Sequence, residues 1–120
     1  MREIRQGSVY WIDFGPAASS APAGRHPCVV VQNDIFNRSA IATSVVWLIT
    51  SNLKRSNAPG NVLLKKGHAT LAKASVVNIS QILTVDKTDL VEYLGQLSST
   101  TASAVRDGLH LIFEQVQDYQ

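Results

Sequence analysis

Six short runs rich in β-branched and aromatic residues, each followed by turn residues, recur along this sequence. Runs of this length and composition are typical of β-strands. They cover residues 8–14, 28–32, 41–49, 61–64, 75–83 and 92–97. The run at 41–49, IATSVVWLI, is apolar enough to predict a central strand. Loops are expected at 15–24 and 53–60, which contain three of the four prolines, and the polar segment 33–40 is expected to turn through one helical turn.

One segment has a helical period instead. Ser98 offers an N-cap hydroxyl, and the apolar residues after it recur at steps of three and four, which places them on one helical face. They are Ala102, Val105, Leu109, Ile112 and Val116. Gly108 within this segment costs about 1 kcal/mol relative to alanine. Several short strands followed by one helix favour a mainly β fold, a small, antiparallel, partly closed barrel with a packed C-terminal helix. A length of 120 residues fits a single domain over residues 1–120.

The sequence argues against several classes of protein. Cys28 is the only cysteine, so no internal disulfide can form. The longest apolar runs are far too short to span a bilayer. Residues 1–6 are charged, and no apolar signal-peptide core follows them. We therefore expect a cytoplasmic protein with no membrane partner.

Metal and cofactor chemistry are disfavoured as well. The chain has no glycine-rich phosphate loop of standard spacing, no CxxC pair and no HExxH motif. The three acids of the first 80 residues are scattered, whereas a two-metal nuclease site needs clustered carboxylates. We expect no metal and no cofactor.

The net charge of +2 conceals an asymmetry along the chain. Residues 1–80 carry nine Lys/Arg and three Asp/Glu, a net charge of +6, while residues 81–120 carry two bases and six acids, a net charge of −4. A basic first part is compatible with a polyanionic partner. An ordinary solvated surface explains the same charges, and charge alone favours that explanation.

Arg25 places a permanent cation where a loop meets a buried strand. It precedes His26-Pro27 and the apolar run CVVV. Proline can open a strand but cannot sit inside one, so we expect the strand to begin after Pro27. The arginine fork of donors matches phosphate and stays charged at any working pH. A structural loop cation is the alternative, and residue type alone favours it.

Thr50, Ser51 and Asn52 end the third run with side chains that prefer local hydrogen bonds to the backbone. RNA carries its own nucleophile, the 2′-hydroxyl, so an RNA-cleaving site needs no metal-bound water. It needs a group that helps to deprotonate this hydroxyl, a cation beside the developing phosphorane, and a proton donor for the leaving 5′-oxygen. An arginine, a hydroxyl and backbone N–H groups can meet the last two needs. A threonine that only caps a turn is the alternative.

Five segments of the sequence together resemble the MazF/PemK toxins of bacterial type II toxin–antitoxin systems. They are QGSVYWIDFGP, GRHPCVVVQND, ITSN, SQILTVDK and LGQLS, which begin at Gln6, Gly24, Ile49, Ser80 and Leu94. Each segment is weak evidence alone. They occur in order, with compatible spacing, over nearly the whole chain.

The resemblance implies a Src-homology-like small barrel, usually a homodimer. It implies a metal-independent, sequence-selective endoribonuclease that cleaves single-stranded RNA to a 2′,3′-cyclic phosphate and a 5′-hydroxyl. The two catalytic positions of the family fall on Arg25 and Thr50, and Gln81 is expected to contact a base or the RNA backbone. The implied protein partner is a MazE-like antitoxin whose flexible acidic tail lies across the RNA groove.

Two positions depart from the family pattern. Members often have Gly-Ser-Glu in the first loop and a second arginine before the proline. Here the loop reads Ser19-Ser20-Ala21, so Ala21 stands at the position of the glutamate. His26 stands at the position of the second arginine. The missing glutamate leaves the general base open. Histidine titrates in the range that such a base needs, but adjacent residues of a strand point in opposite directions, so a structural role for His26 ranks higher.

The RNA-binding surface is expected to combine the loops 17–24 and 53–60 with the end of the third strand. Its expected residues are Ser20, His26, Ser51, Asn52, Lys54, Arg55 and Gln81. Lys54 and Arg55 are placed to hold backbone phosphates, and a solvated surface is nearly as good an explanation for both. The RNA sequence that the protein recognises cannot be deduced from these loops.

Two other functions compete with RNA cleavage. A CcdB-like gyrase poison has the same type of barrel, acts through its C-terminal helix and needs neither Arg25 nor Thr50. An inactive barrel would only bind RNA or an antitoxin. The presence of both residues favours cleavage. The apolar run 45–49 exceeds what one small core face needs, which with the resemblance predicts a C2 homodimer with RNA along the interface.

Overall fold

Six antiparallel strands form one curled sheet in this computed structural model, which describes residues 3–16 and 24–115. The strands are β1 Ser8–Asp13, β2 Arg25–Val30, β3 Thr43–Thr50, β4 Val62–Leu64, β5 Ser75–Asp86 and β6 Leu90–Gln96. Their order across the sheet is β4-β5-β3-β2-β1-β6. The helices are α1 Asp34–Asn37 and α2 Ser99–Phe113, with short 3₁₀ helices at Leu53–Asn57, His68–Thr70 and Lys87–Asp89. This mainly β half-barrel with a C-terminal helix confirms the predicted fold class.

The two faces of the sheet carry separate apolar clusters, because side chains alternate along each strand. The cluster under α2 includes Val9, Val29, Val31, Trp47, Ile49, Val77, Ile79 and Val105. The cluster on the opposite face includes Tyr10, Ile12, Cys28, Val30, Val46, Leu48 and Val85. The curled sheet thus covers both of its faces with side chains of the same chain.

The apolar run of β3 is buried within the chain. Val46 and Trp47 have no exposed surface, and Leu48 and Ile49 are 4% and 1% exposed. β2 and β5 flank β3. The run does exceed what one core face needs, but its excess is buried in the second cluster of the same chain and gives no evidence for a second copy.

β2 begins at Arg25, three residues before the predicted strand, so the expectation that Pro27 precedes the strand is wrong. Pro27 pairs with Trp11 of β1, whereas the pairing of β2 with β3 starts only at Cys28. Pro27 thus has a neighbouring strand on one side, and its missing N–H costs no ladder hydrogen bond on the other. As a result Arg25 stands on a paired strand rather than in a loop, opposite Asp13.

The turn after β2 is held by Asn33 and Asp34. The Asn33 side chain accepts the N–H of Ile35 at 2.8 Å and caps α1, which confirms the predicted helical turn. Burial opposes the ionisation of Asp34, but hydrogen bonds from the Gln6 N–H (2.6 Å) and the Asn37 amide (3.1 Å), together with nearby arginines, lower its pKa below the usual value. The carboxylate therefore ties the N-terminal segment to this turn.

α2 begins where the sequence predicts. Ser98 is its N-cap and accepts the N–H of Thr101 at 3.2 Å. Gly108 is buried, and a Cβ there would lie 3.0 Å from the Gly60 carbonyl oxygen and 3.1 Å from Ile79. Glycine therefore lets α2 approach the sheet closely, which accounts for a residue that is otherwise unfavourable in a helix. Val116 of the predicted helical face lies outside the described residues.

Candidate active site

A cavity of about 480 Å³ opens beside the start of β2 and the end of β3. Its polar lining residues are Arg25, His26, Thr50, Ser51, Thr70, Lys73 and Ser75. Trp11, Ile49, Leu71 and Leu94 supply much of its apolar wall. Strand pairing through β3 and β2 thus brings Arg25 and Thr50, which are far apart in sequence, to the same cavity.

The Arg25 guanidinium is held by two contacts while remaining accessible. Its Nη2 lies 3.1 Å from Oε1 of Glu92, and these two side chains are 49% and 57% exposed. Its central carbon lies 5.3 Å from the centroid of the Trp11 ring, a cation–π contact. Because β1 lies between β2 and β6, Trp11 pairs with Pro27 on one side and Glu92 on the other. The cation on β2 is therefore oriented by groups on two further strands, β1 and β6.

Thr50 ends β3 with its hydroxyl in a local turn. Its Oγ1 accepts the N–H of Asn52 at 3.1 Å, and the Asn52 side chain accepts the N–H of Lys54 at 3.2 Å. These bonds confirm the predicted preference of the two side chains for the backbone. In its bond Thr50 is the acceptor, so its hydroxyl proton can be donated to a ligand oxygen.

His26 contributes to the cavity wall, but its ring packs elsewhere. The ring centroid lies 5.9 Å from that of Phe14, at an interplanar angle of 53°. Phe14 belongs with the cluster on the face opposite α2, whereas Arg25 stacks on Trp11. The alternation of side chains along β2 thus directs the His26 ring away from the guanidinium, which favours a packing role for it.

The remaining predicted contact residues do not all lie at the cavity, because Asn52, Lys54 and Arg55 are absent from its lining. Ser51 lines it. Lys54 and Arg55 are exposed on the 3₁₀ helix Leu53–Asn57, a segment that the sequence predicted as a loop. Ser20 lies outside the described residues, so its position relative to the cavity is not described.

Gln81 lies outside the cavity lining, at the end of a chain of side-chain amides. The Asn61 amide donates to the Arg55 carbonyl at 2.8 Å, and its carbonyl accepts the Ile79 N–H at 3.0 Å, so the backbone sets its orientation. Asn61 also donates to Asn78 at 3.4 Å, and Asn78 donates to Oε1 of Gln81 at 2.9 Å. In this arrangement the exposed Gln81 presents the N–H donors of its amide outward.

Sequence reasoning missed four residues at the site: Trp11, Thr70, Lys73 and Glu92. Trp11 had a usable signal, since alternation along the first run places it two residues from Asp13 on the face of Arg25. Thr70 has a positive φ of 58° in the turn before β5, and no sequence signal places it at the cavity. Glu92 comes to Arg25 only through the register of β6 with β1, which the sequence does not reveal.

The described part of the chain holds neither a reactive thiol nor a cluster of metal ligands. Burial raises the pKa of the Cys28 thiol to about 12, so this thiol is protonated and unreactive at neutral pH. Within residues 3–16 and 24–115, no three His, Cys, Asp or Glu side chains come together as a metal site. No helix in the described ranges is long and apolar enough to cross a membrane.

Comparison with known proteins gives a consistent result. A family model described as PemK-like, MazF-like toxin of type II toxin–antitoxin system matches residues 5–113. The Endoribonuclease MazF6 of Mycobacterium tuberculosis is 38% identical over 111 residues, which cover 92% of this chain and 97% of that protein. The Endoribonuclease MazF of Staphylococcus saprophyticus is 35% identical over 115 residues, 91% of this chain and 95% of that protein. A solved mycobacterial endoribonuclease in complex with its cognate antitoxin superposes with a TM-score of 0.70 at 25% identity, covering 92% of this chain and 93% of that chain.

Proposed function

Because this chain belongs to the PemK-like, MazF-like toxin family of type II toxin–antitoxin systems, we propose that it cleaves single-stranded messenger RNA as a metal-independent, sequence-selective endoribonuclease. The observation that carries the proposal is the cavity lined by both Arg25 and Thr50. The relatives at 38% and 35% identity are named endoribonucleases. A messenger RNA substrate assigns the protein to the cytoplasm.

The chemistry follows from a cation and a hydroxyl beside one phosphate. The substrate 2′-oxygen forms a bond to phosphorus, the bond to the 5′-oxygen breaks, and the products carry a 2′,3′-cyclic phosphate and a 5′-hydroxyl. Arg25 stabilises the charge that develops on the phosphorane, because its donors are oriented before the reaction begins. The Thr50 hydroxyl donates a hydrogen bond to a non-bridging oxygen and positions it. The guanidinium remains protonated throughout, so it cannot serve as the base.

The RNA backbone would run from this cavity over the neighbouring basic surface. Lys73 lines the cavity, and Lys54 and Arg55 are exposed on the 3₁₀ helix that follows Thr50. Cations at these positions can hold phosphates without reading sequence. Ser51 and Asn52 lie between the catalytic threonine and these cations.

Gln81 is the group we assign to base or backbone recognition. Its Oε1 accepts from Asn78, so its outward N–H donors suit an acceptor on a base edge or a phosphate oxygen. Ser20 of the first loop and His26, which lines the cavity from β2, complete the proposed contact set. Sequence selectivity would then come from contacts to unstacked bases around a cleavage centre that is itself indifferent to sequence.

We assign the chain a MazE-like antitoxin as its protein partner. The solved mycobacterial endoribonuclease is in complex with its cognate antitoxin, and residues 1–80 of this chain carry a net charge of +6. A flexible acidic segment laid over this surface would compete with RNA for the same cations. Antitoxin binding should weaken as salt rises and should block cleavage, and simultaneous tight binding of RNA and antitoxin would contradict a shared groove.

A C2 homodimer with RNA along its interface is the assembly that we assign. With the β3 run buried, its apolar contacts must come from elsewhere. Leu111 and Phe113 on α2 are 43% and 72% exposed and supply such surface. Sedimentation analysis at micromolar concentration tests this assembly, and a fully active monomer would contradict it.

The direct test is an incubation of the purified protein with a long single-stranded RNA in excess chelator, followed by analysis of the product ends. Ribonuclease activity predicts discrete fragments with cyclic phosphate ends. A gyrase poison of the CcdB type would leave the RNA intact and would inhibit gyrase. An inactive barrel would retard the RNA in a gel without cutting it.

A further inference from the structure

Glu92 contacts the proposed catalytic arginine across the sheet. Its Oε1 lies 3.1 Å from Nη2 of Arg25. Both side chains are about half exposed, and an ion pair of such exposure contributes only about 0–1 kcal/mol to stability. The fold therefore gains little from this pair, as it does from the equally exposed pair of Glu3 and Arg38. What sets Glu92 apart is its partner, because Arg25 lines the cavity together with Thr50.

The proposed reaction requires a group that accepts the proton of the attacking 2′-hydroxyl. The His26 ring packs against Phe14 on the other face of the sheet. Asp13 is paired with Arg25 in the strand register, but its Oδ1 accepts the Gly15 N–H at 2.8 Å. Within the part of the chain that the structure describes, Glu92 is the acid in direct contact with the guanidinium.

We propose that Glu92 is the general base of the reaction, an inference that rests on the proposed ribonuclease function. The ion pair engages Nη2, and the guanidinium has five N–H donors, so its other donors can bind a phosphate while Glu92 stays in place. Glu92 then lies on one side of the Arg25 guanidinium and the scissile phosphate on the other. This brings the base close to the 2′-hydroxyl of the nucleotide that precedes the phosphate. The arginine between them offsets the repulsion of the two anions.

The proton then follows a balanced path. It moves from the 2′-hydroxyl to the Glu92 carboxylate as the 2′-oxygen forms its bond to phosphorus. The bond to the 5′-oxygen breaks, and this oxygen takes a proton from water. Glu92 returns its proton to solvent before the next turnover.

The strands and the 3₁₀ helix around Glu92 carry other ionisable groups. They are Tyr10 and Asp13 on β1, Arg25 and His26 on β2, and His68 on the 3₁₀ helix that packs against β6. The test therefore compares pH profiles between variants of one acid and does not interpret a single profile by itself.

The test compares Glu92→Gln with a matched control, Glu3→Gln. Glu3 pairs with Arg38 at 3.3 Å, and those side chains are 57% and 60% exposed, so the control removes the same charge from an equally exposed ion pair that lines a different cavity. Three quantities are measured: the single-turnover cleavage rate against pH, the affinity for an RNA with one 2′-deoxy nucleotide at the cleavage position, and the unfolding temperature.

A general base predicts that Glu92→Gln lowers the cleavage rate by about 10²-fold or more and removes the acid limb of the pH–rate profile. Affinity for the 2′-deoxy RNA should be unchanged or tighter, because a negative charge beside the phosphate is lost. Glu92→Asp should recover part of the rate and keep the acid limb. Glu3→Gln should match the wild type in all three measurements.

Three outcomes overturn the assignment. Cleavage by Glu92→Gln at the wild-type rate shows that the carboxylate is not needed. Faster cleavage by Glu92→Gln than by the wild type shows that Glu92 competes with the phosphate for Arg25. Equal losses of affinity and rate with an unaltered pH profile make it a residue that only positions Arg25. Each of these requires an active wild type, whereas a wild type that cuts no RNA removes the proposed function itself.

Discussion

Replacement of Arg25 by alanine should separate catalysis from folding. The ion pair with Glu92 is half exposed and contributes about 0–1 kcal/mol to stability. The contact with the Trp11 ring, at 5.3 Å, adds about 0.5–1 kcal/mol. The free energy of unfolding should therefore fall by no more than about 2 kcal/mol, which lowers the melting temperature by several degrees, at about 4 °C per kcal/mol.

The loss of activity should be larger than this loss of stability. Removing a preorganised donor at developing charge costs about 10²–10³ in rate, or about 2.7–4 kcal/mol in the barrier. Cleavage of a fluorophore–quencher RNA measures the rate, and circular dichroism on the same sample measures unfolding. Arg25→Lys should restore little activity, because an ammonium group cannot present two parallel donors to a phosphate.

Arg38→Ala is the matched control, since Arg38 is an exposed arginine in an ion pair with Glu3 and lines a different cavity. It should fold and cleave as the wild type does. If Arg25→Ala kept the wild-type cleavage rate, the assignment of Arg25 to the reaction would be refuted. If it instead unfolded at room temperature, the contact energies used above would be wrong.

Three further predictions concern other parts of the chain. Thr50→Ala should slow cleavage, and Thr50→Ser, which keeps the hydroxyl, should slow it less; equal rates for both variants would contradict a donating hydroxyl. Neutralising Lys54 and Arg55 together should weaken RNA binding for all sequences and flatten its salt dependence. An unchanged slope of log affinity against log salt concentration would show that neither residue binds RNA phosphates. The pKa of the Asp34 carboxyl is lowered in the folded state, so its charge stabilises the fold at neutral pH. Asp34→Asn should therefore reduce the free energy of unfolding in full at neutral pH and progressively less as the pH falls below the ordinary pKa of 3.8. Chemical denaturation of both proteins at neutral pH and below pH 3.8 checks this.

Much of the fold could be predicted because its signals are local. The apolar runs of β1 and β3 and the helical period after Ser98 are readable in the sequence, and all three elements begin within two residues of the expected positions. The first residue of β2 could not be predicted from the sequence. Whether Pro27 is tolerated depends on which of its sides has a strand neighbour, and this is a property of the assembled sheet.

The candidate site divides in the same way. Arg25 and Thr50 were expected from the family resemblance, and the hydroxyl that ends β3 behaves as its local chemistry predicts. Trp11 and Glu92 become part of the site through the pairing of β1 with β2 and β6. Lys73 reaches the cavity from the turn before β5. Such residues could not be found without the register of the strands.

The central claim is that the RNA supplies its own nucleophile to a phosphate held by Arg25 and Thr50. The most direct measurement uses a single-stranded RNA with one mapped cleavage site and a 2′-deoxy nucleotide on the 5′ side of the scissile phosphate, incubated in excess chelator. The account predicts that cleavage at this phosphate disappears while the substrate still binds, and that the unmodified RNA is cut there to a 2′,3′-cyclic phosphate. Cleavage of the 2′-deoxy substrate at the same phosphate would contradict the account and would require a water-activating site elsewhere in the chain.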